Sequence, residues 1–301
     1  MEKPIVFFHI LAKDKAKLID YWLSENLDKM DYPKDRVRLY FRTNNNNDDT
    51  QFLIQGWIDD QKIKGIEWRS IDFDFDDVPE QVQNYGVHEW NAERFKVLGR
   101  LRQEGIEQAL ALDCDYYYVC DVDNFTLPHT LSTLVGYNLP VVSPMLKMAD
   151  PEQPAYSNYH LLTNVKGYYL DDMRYYQVLK QEVKGLIACD VVHCTYLIRK
   201  DILPTIKYLD GTDDYEYVIF SRELRRLNIP QYLDNQEVYG YLSTRENLEA
   251  IKHWMGTLKW NLIFLVENGL EYAGHVALNY SRLARASIKC YIQDTRTQKN
   301  V

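Results

Sequence analysis

Residues 116–124 read YYYVCDVDN, and this stretch decides the fold of the 301-residue chain. Its first five residues are aromatic, β-branched or small and apolar, which predicts a short buried strand. The run ends abruptly in two carboxylates with one residue between them. Because side chains alternate along a strand, Asp121 and Asp123 point to the same side if the extended backbone continues through them.

Two neighbouring carboxylates at the end of a strand predict a cation site. Like charges on one side of a strand repel each other unless a cation lies between them. Open α/β sheets bind their ligands at the carboxyl ends of the strands. Mg²⁺ and Mn²⁺ take oxygen ligands there and keep positions for substrate phosphates. The alternative is a solvated turn, or a cap by Asp123 or Asn124 on a helix that we expect to open at Pro128.

Working outward, the pattern before the two carboxylates alternates between strands and helices. Apolar spacing predicts strands at 4–11, 36–42, 66–71 and 115–120, and helices at 14–30, 50–58 and 90–111. Such an order predicts an α/β fold with a Rossmann-like, doubly wound, mostly parallel sheet flanked by helices.

The second half of the chain is less regular. It contains predicted strands at 141–145, 191–198 and 231–238, predicted helices at 127–134 and 214–226, and a helical tail from 246. We interpret the acidic residues 72–89 as a surface loop and the Tyr-rich residues 150–185 as a substrate lid. We expect one domain over 1–256 and a helical C-terminal extension, packed on it, over 257–301.

Composition excludes several classes of protein. The net charge of −9 argues against a nucleic-acid partner. Five cysteines without a CxxC pair indicate reduced thiols, not a zinc site or a disulfide framework. No apolar stretch has the length of a membrane span, and no signal peptide is visible. We therefore expect a cytoplasmic chain, or a lumenal one only if it is targeted by other means. The sequence leaves a homodimer open.

An ordered set of short segments resembles the procollagen galactosyltransferases, also called hydroxylysine galactosyltransferases, and more broadly the nucleotide-sugar transferases of the GT-A fold. The segments include DYP at 31–33, NNNNDDT at 44–50, IEWR at 66–69, the block 115–131, VVSPML at 141–146, AYSNY at 155–159, VHCTYLI at 192–198 and EVYGYL at 237–242. The resemblance runs over roughly residues 5–255, and residues 257–301 have no counterpart in it. The animal enzymes carry two such modules and a signal peptide, whereas this chain shows one module.

The resemblance implies a glycosyltransferase that moves a hexose, typically galactose, from a UDP-sugar to a hydroxyl with the help of Mn²⁺ or Mg²⁺. The acceptor is then a protein, such as a collagen-like chain with hydroxylysine, or a glycan. The expected donor-binding residues are Ala12, Lys13, Asn44, Asn45, Arg94, Arg102, Asp121, Val122 and Asp123. We place Trp90, Arg94 and Arg102 on one helix, with a salt bridge from Arg94 to residues 72–77 as the alternative to a diphosphate contact.

The resemblance also implies metal ligands. Asp123 binds the metal directly, whereas Asp121 binds it directly or through water, or contacts the ribose instead. His253 is the expected third ligand because its spacing from residues 243–244 resembles the spacing found in the family. His193 and His275 are the alternative third ligands.

Transfer with inversion needs a carboxylate near the acceptor hydroxyl. When the segments are aligned without gaps, an acidic pair of the family corresponds to Tyr215-Glu216 of this chain. Glu216 is therefore the first candidate for the catalytic base, with Asp213 and Asp214 as alternatives. An acid-rich helix N-terminus explains the same residues without catalysis.

Ser157, Asn158, Tyr159 and His193 are candidates for substrate binding, and Tyr168 and Tyr169 are candidates for stacking on a sugar. A self-packed loop is the alternative for this Tyr-rich region. Two other functions compete with the transferase. A phosphatase of the haloacid-dehalogenase type also uses two aspartates at a strand end, but near its chain start. A catalytically inactive transferase-like module stays open because the position of the base is uncertain.

Overall fold

The structure, a computed structural model, describes residues 2–86 and 89–268, without the side chains of 261–268. Its contacts divide the chain into two units, Met1–Lys252 and His253–Val301. Most of the predicted extension over 257–301, including His275 and Cys290, lies outside the described residues.

The described residues alternate between strands and helices along most of their length, and the last helix extends from the first unit into the second. The strands are β1 Val6–Leu11, β2 Val37–Arg42, β3 Ser70–Asp74, β4 Tyr116–Cys120, β5 Asn124–Thr126, β6 Val141–Pro144, β7 Leu146–Met148, β8 Tyr159–His160, β9 Leu186–Cys189, β10 Val191–Val192, β11 Thr195–Arg199, β12 Gln231–Asp234 and β13 Gly240–Leu242. The α-helices are α1 Ala16–Trp22, α2 Thr50–Ile63, α3 Ala92–Ala111, α4 Thr130–Tyr137, α5 Met173–Leu179, α6 Glu216–Arg226 and α7 Leu248–Asn268. A π-helical turn, Leu23–Asp28, continues α1.

The main sheet has eight strands in the order β3-β2-β1-β4-β11-β6-β12-β9. The first four are mutually parallel, whereas β11 runs antiparallel to both β4 and β6. Strands β6 and β12 are again parallel, and β9 closes the sheet in the antiparallel sense. The predicted α/β fold with a mostly parallel sheet is confirmed. Because β1, β2 and β4 share one direction, their carboxyl ends meet at the same edge.

Strand β4 is buried along its whole length, which explains its aromatic composition. Tyr117 forms a 2.6 Å hydrogen bond through its hydroxyl with Nδ1 of the buried His9 on β1. Helix α3 packs over this pair at Gly105, where a Cβ would lie 2.1 Å from His9 Nδ1. A glycine at this point lets the helix approach the sheet closely.

Several predicted elements differ in the structure. The strand predicted at 191–198 divides into β10 and β11, which lie in different sheets, and the strand predicted at 231–238 ends at Asp234. The strand expected at 66–71 is instead Ser70–Asp74, so part of the predicted acidic loop is an edge strand, where carboxylates face water without penalty. The helix expected at 127–134 begins at Thr130, because a three-stranded sheet, β5-β13-β7, takes the residues after Asp123. The Tyr-rich region contains helix α5, whose Asp172 cap accepts a hydrogen bond from the Arg174 amide.

Candidate active site

Asp121 and Asp123 lie at the carboxyl edge of the parallel strands and line one cleft. Their backbone is fixed on both sides. The Asp121 amide donates to Cys194 O at 2.9 Å, and Asp123 O accepts from the Ser243 amide at 3.1 Å. The indole of Trp22 donates to Asp121 O at 3.1 Å. These contacts fix the backbone that carries the two carboxylates.

Arg102 connects Asp121 to Glu216. Its Nη2 donates to Asp121 Oδ1 at 2.7 Å, and its Nε lies 3.7 Å from Glu216 Oε1. The arginine side chain is only 3% exposed. Burial raises the pKa of Asp121 and of Glu216, and the charge of Arg102 offsets part of each rise. Arg102 was predicted to bind the donor. In the structure its guanidinium pairs with these two carboxylates.

Lys15 occupies the equivalent place beside Asp123. Its ammonium lies 3.3 Å from Asp123 Oδ2 and 3.1 Å from Glu246 Oε1. The lysine lies shortly after the end of β1 and lines the same cleft. Thus each carboxylate of the Asp121–Asp123 pair has a basic partner within the chain.

The ends of β1 and β2 form one side of the cleft. Ala12, Lys13, Asn44 and Val122, which were predicted to bind the donor, all line the cleft, and donor binding itself stays a prediction. Asn45 does not line it. Its side chain pairs instead with both backbone groups of Val78, donating at 3.1 Å and accepting at 3.0 Å, and so shapes the neighbouring loop.

Arg94 lines the cleft at its rim. The expectation that Trp90 shares its helix is wrong, because α3 begins at Ala92 and Asn91 caps it by accepting from the Arg94 amide at 3.0 Å. The guanidinium nevertheless stacks over the Trp90 ring at 4.5 Å and donates to Glu89 O at 2.9 Å.

The three candidate bases have different surroundings. Glu216 is buried as the first residue of α6, next to Arg102. Asp213 is 69% exposed and pairs with Lys96. Asp214 accepts from the Tyr168 hydroxyl at 2.7 Å and from Arg222 at 2.8 Å, which holds its pKa below its usual range against the effect of burial. Only Glu216 of the three is linked to Asp121 by a shared cation.

The predicted substrate residues 157–159 are buried in the first unit. Asn158 donates to Ser143 Oγ and Pro144 O at 2.8 Å each and accepts from the Leu146 amide at 3.0 Å. Ser157 Oγ donates to Leu146 O at 2.6 Å, and Tyr159 donates to Tyr175 O at 2.9 Å. The structure therefore gives all three a packing role, and their contact with substrate stays a prediction.

His193 is buried close to the site. Its Nδ1 lies 2.8 Å from Cys194 Sγ, and its ring packs against Tyr217 at 5.0 Å and His160 at 5.2 Å. Among the described residues, Nε2 has no hydrogen-bond partner. Burial lowers the pKa of His193 well below its usual range, so the imidazole is neutral.

Asp121 and Asp123 fit a hard divalent cation, since both offer carboxylate oxygens to one cleft. Within residues 2–86 and 89–268, no cluster of three His, Cys, Asp or Glu side chains is placed to hold a metal. Two protein ligands are compatible with Mg²⁺-like sites, which commonly complete their coordination with water and substrate phosphates. His253 lies on α7 in the second unit, with its ring 5.2 Å from that of Trp254, and its metal role stays a prediction.

Sequence reasoning missed Lys15, Glu246 and Arg42. Lys15 had a usable signal, because it lies near the carboxyl end of the first strand, where ligands bind. Arg42 ends β2 and lines the cleft, with one of its nitrogens donating to Asp76 O at 2.8 Å. Glu246 is 123 residues after Asp123 in the chain, and no local pattern connects them.

In the part of the chain that the structure describes, every helix is too short or too polar to cross a bilayer.

Comparison with known proteins identifies the family. The profile described as Glycosyltransferase family 25, N-terminal domain, matches residues 3–258. Procollagen galactosyltransferase 2 of Homo sapiens is 31% identical over 271 residues, which cover 84% of this chain and 42% of that protein. Inactive glycosyltransferase 25 family member 3 of Homo sapiens is 27% identical over 257 residues, covering 80% and 40%. The chain thus spans less than half the length of these curated relatives.

The solved structure of S. aureus TarS shares the fold, with a TM-score of 0.52 at 12% identity over 82% of this chain and 38% of that one. The predicted GT-A-like fold class is confirmed. Together with the match over residues 3–258, these findings show that the chain belongs to glycosyltransferase family 25.

Proposed function

We propose that this chain transfers a hexose, galactose in the first instance, from a UDP-sugar to an acceptor hydroxyl in a metal-dependent reaction. One observation carries the proposal. The carboxylates of Asp121 and Asp123 line a cleft at the carboxyl edge of the sheet, and buried Arg102 links the first of them to Glu216. The names of the procollagen galactosyltransferase relatives support the choice of galactose.

The donor would lie across the ends of β1 and β2. Asp121 and Asp123 would hold Mn²⁺ or Mg²⁺, which when bound neutralises the charge that develops on the leaving diphosphate. Lys13 and Arg94 reach the same cleft and can donate to phosphate oxygens. Ala12, which is buried and small, leaves room for a base against the end of β1.

Glu216 would be the general base. Its carboxylate takes the proton of the acceptor hydroxyl, the hydroxyl oxygen bonds to the anomeric carbon, and the bond to the diphosphate oxygen breaks with inversion. Burial raises the pKa of Glu216, which makes it a stronger base than an exposed glutamate. Arg102, whose Nε lies 3.7 Å from Glu216 Oε1, favours the ionised form of this glutamate.

The acceptor would carry its hydroxyl on a protein or a glycan. Hydroxylysine of a collagen-like chain is the first choice because of the relatives' names. The net charge of −9 suits a basic protein acceptor.

A second candidate function is a catalytically inactive, transferase-like binding module. The observation that favours it is that Asp121 and Asp123 are each already paired with a basic residue of the chain. One relative is itself named inactive.

Calorimetric titration with UDP-galactose and UDP-glucose, with and without Mn²⁺, tests the proposal. We expect metal-dependent binding by the wild type that Asp123→Ala abolishes. Asp113→Ala is the control, because it removes an equal charge at the exposed opposite end of β4 and should bind as the wild type does. Well-folded wild-type protein that binds neither UDP-sugar would overturn the proposal. Binding without turnover of UDP-galactose to UDP, with or without acceptor, would support the inactive module.

A further inference from the structure

Lys15 lies between two carboxylates that come from distant parts of the chain. Its ammonium is 3.3 Å from Asp123 Oδ2 and 3.1 Å from Glu246 Oε1. The three side chains are 13%, 25% and 9% exposed, respectively, so water screens this group only in part. The single ammonium offsets one of the two negative charges, whereas a divalent cation would offset both.

The backbone is constrained at both Lys15 and Glu246. The Lys15 amide donates to Thr50 Oγ1 at 2.6 Å, which ties the start of α1 to α2. Glu246 has a φ of 55°, in the left-handed region that disfavours a glutamate. Such a conformation persists only where the surrounding structure imposes it, and it is common at ligand sites.

This arrangement places Lys15 in competition with any cation that approaches Asp123. A divalent ion that binds the Asp123 carboxylate must either displace the ammonium from it or lie beside a like charge. Lys15 also lines the donor cleft, so its ammonium has an alternative partner whenever phosphate oxygens enter.

We propose that Lys15 is an internal counter-ion that holds Asp123 and Glu246 until a diphosphate arrives, and that it then passes to the phosphate oxygens and releases Asp123 for the metal. Lys15 therefore disfavours metal binding in the absence of nucleotide and favours the binding of metal together with nucleotide. The inference rests on the proposed donor function, because it assigns the diphosphate to this cleft.

Titration of Mn²⁺ without nucleotide, followed by electron paramagnetic resonance, tests the metal half directly. Lys15→Met should bind Mn²⁺ about tenfold more tightly than the wild type, since one competing charge is removed. Lys17→Met removes an equal charge from an exposed position two residues away and should leave the affinity unchanged. Glu246→Gln should not tighten Mn²⁺ binding, because Lys15 then pairs with Asp123 alone.

Calorimetry of UDP in the presence of a chelator tests the nucleotide half. Lys15→Met should bind UDP about tenfold more weakly than the wild type, because a phosphate partner is lost. Lys15→Gln keeps a hydrogen-bonding side chain and repeats both measurements if the methionine variant does not fold.

Unchanged or weaker Mn²⁺ binding by both Lys15 variants would overturn the inference. It would also be overturned if neither the wild type nor any of the variants bound Mn²⁺. Failure of the proposed function has a different signature: the wild type would bind Mn²⁺ but no UDP-sugar under any condition.

Discussion

Arg102 Nη2 donates a 2.7 Å hydrogen bond to Asp121 Oδ1 from a buried position on helix α3. The same guanidinium lies 3.7 Å from Glu216, so one cation stabilises Asp121 of the proposed metal site and the proposed base together. Among the described residues, its Nε and Nη1 have no hydrogen-bond partner. The arginine is thus held by charge more than by a complete set of hydrogen bonds.

Arg102→Met should destabilise the protein by about 3–5 kcal/mol at neutral pH, because it leaves the buried Glu216 and the partly buried Asp121 without their cation. Both carboxylates already have raised pKa values, and loss of the arginine raises them further. A carboxylate whose folded-state pKa exceeds the unfolded value destabilises the fold as pH rises through that range. The loss should therefore be larger at pH 7.5 than at pH 5, as measured by urea unfolding at both values.

Arg100→Met provides the control on the same helix. Arg100 is 38% exposed and pairs with Glu80 at 2.7 Å, so its removal should change the free energy of unfolding by less than about 1 kcal/mol. Equal losses for the two variants, or a loss for Arg102→Met that does not depend on pH, would contradict this account.

Glu216→Gln should lower kcat by about 10²–10⁴ while leaving the affinity for UDP nearly unchanged, because only the proton acceptor is lost. Since burial raises the pKa of Glu216, the acidic limb of the wild-type kcat/KM profile should lie above the ordinary glutamate pKa of 4.5. The measurement is the pH dependence of transfer, or of UDP-galactose hydrolysis if no acceptor is known.

Asp213→Asn tests the same assignment from the other side. Asp213 is exposed and bound to Lys96, so this variant should keep kcat within about twofold, as expected for a surface residue. A large loss of kcat in Asp213→Asn with little change in Glu216→Gln would assign the general base to Asp213 instead of Glu216.

The sequence predicted the sheet and one side of the site because both depend on local patterns. The alternation of strands and helices is a periodic signal, and Ala12, Asn44 and Asp121 follow strand ends, where ligands collect. Residues such as Asn45 and Asn158 show the limit of these patterns, since a polar side chain near a site can also satisfy buried backbone groups.

The ion pairs of the site could not be predicted. Lys15 meets Glu246 across 231 residues, and Arg102 meets Glu216 across 114. Such pairings are set by the packing of helices on the sheet, and no spacing in a single sequence encodes them. Edge strand β3 was misplaced for a related reason, because its acidic residues resemble those of a loop.

Gly105→Ala should destabilise the protein by several kcal/mol, because the added methyl would lie 2.1 Å from Nδ1 of buried His9. His9 cannot move without breaking its 2.6 Å hydrogen bond to Tyr117. Gly56→Ala is the matched control, since Gly56 is also within a helix and a methyl group added there would meet no atom within 4 Å. This second variant should be more stable than the wild type by about 0.5–1 kcal/mol. Thermal unfolding of both variants, with opposite shifts in Tm, is the check.

Asn158→Ala distinguishes a packing role from a substrate role for the segment 157–159. The side chain makes four hydrogen bonds within the first unit, to Ser143, Pro144, Leu146 and Ser157. Its removal leaves buried polar groups without partners, so the free energy of unfolding should fall by about 2–4 kcal/mol. Asn84→Ala, at an exposed position, should change it by less than about 0.5 kcal/mol.

A structural role for Asn158 also makes a kinetic prediction. Below the unfolding transition, Asn158→Ala should keep the KM for the donor and for the acceptor within about twofold of the wild-type values, because no contact with either substrate is lost. Because Asn158 braces β6 and β7 rather than the cleft, its effect should appear as temperature sensitivity of activity. An unchanged free energy of unfolding combined with a tenfold or greater rise in either KM would instead assign this asparagine to substrate binding.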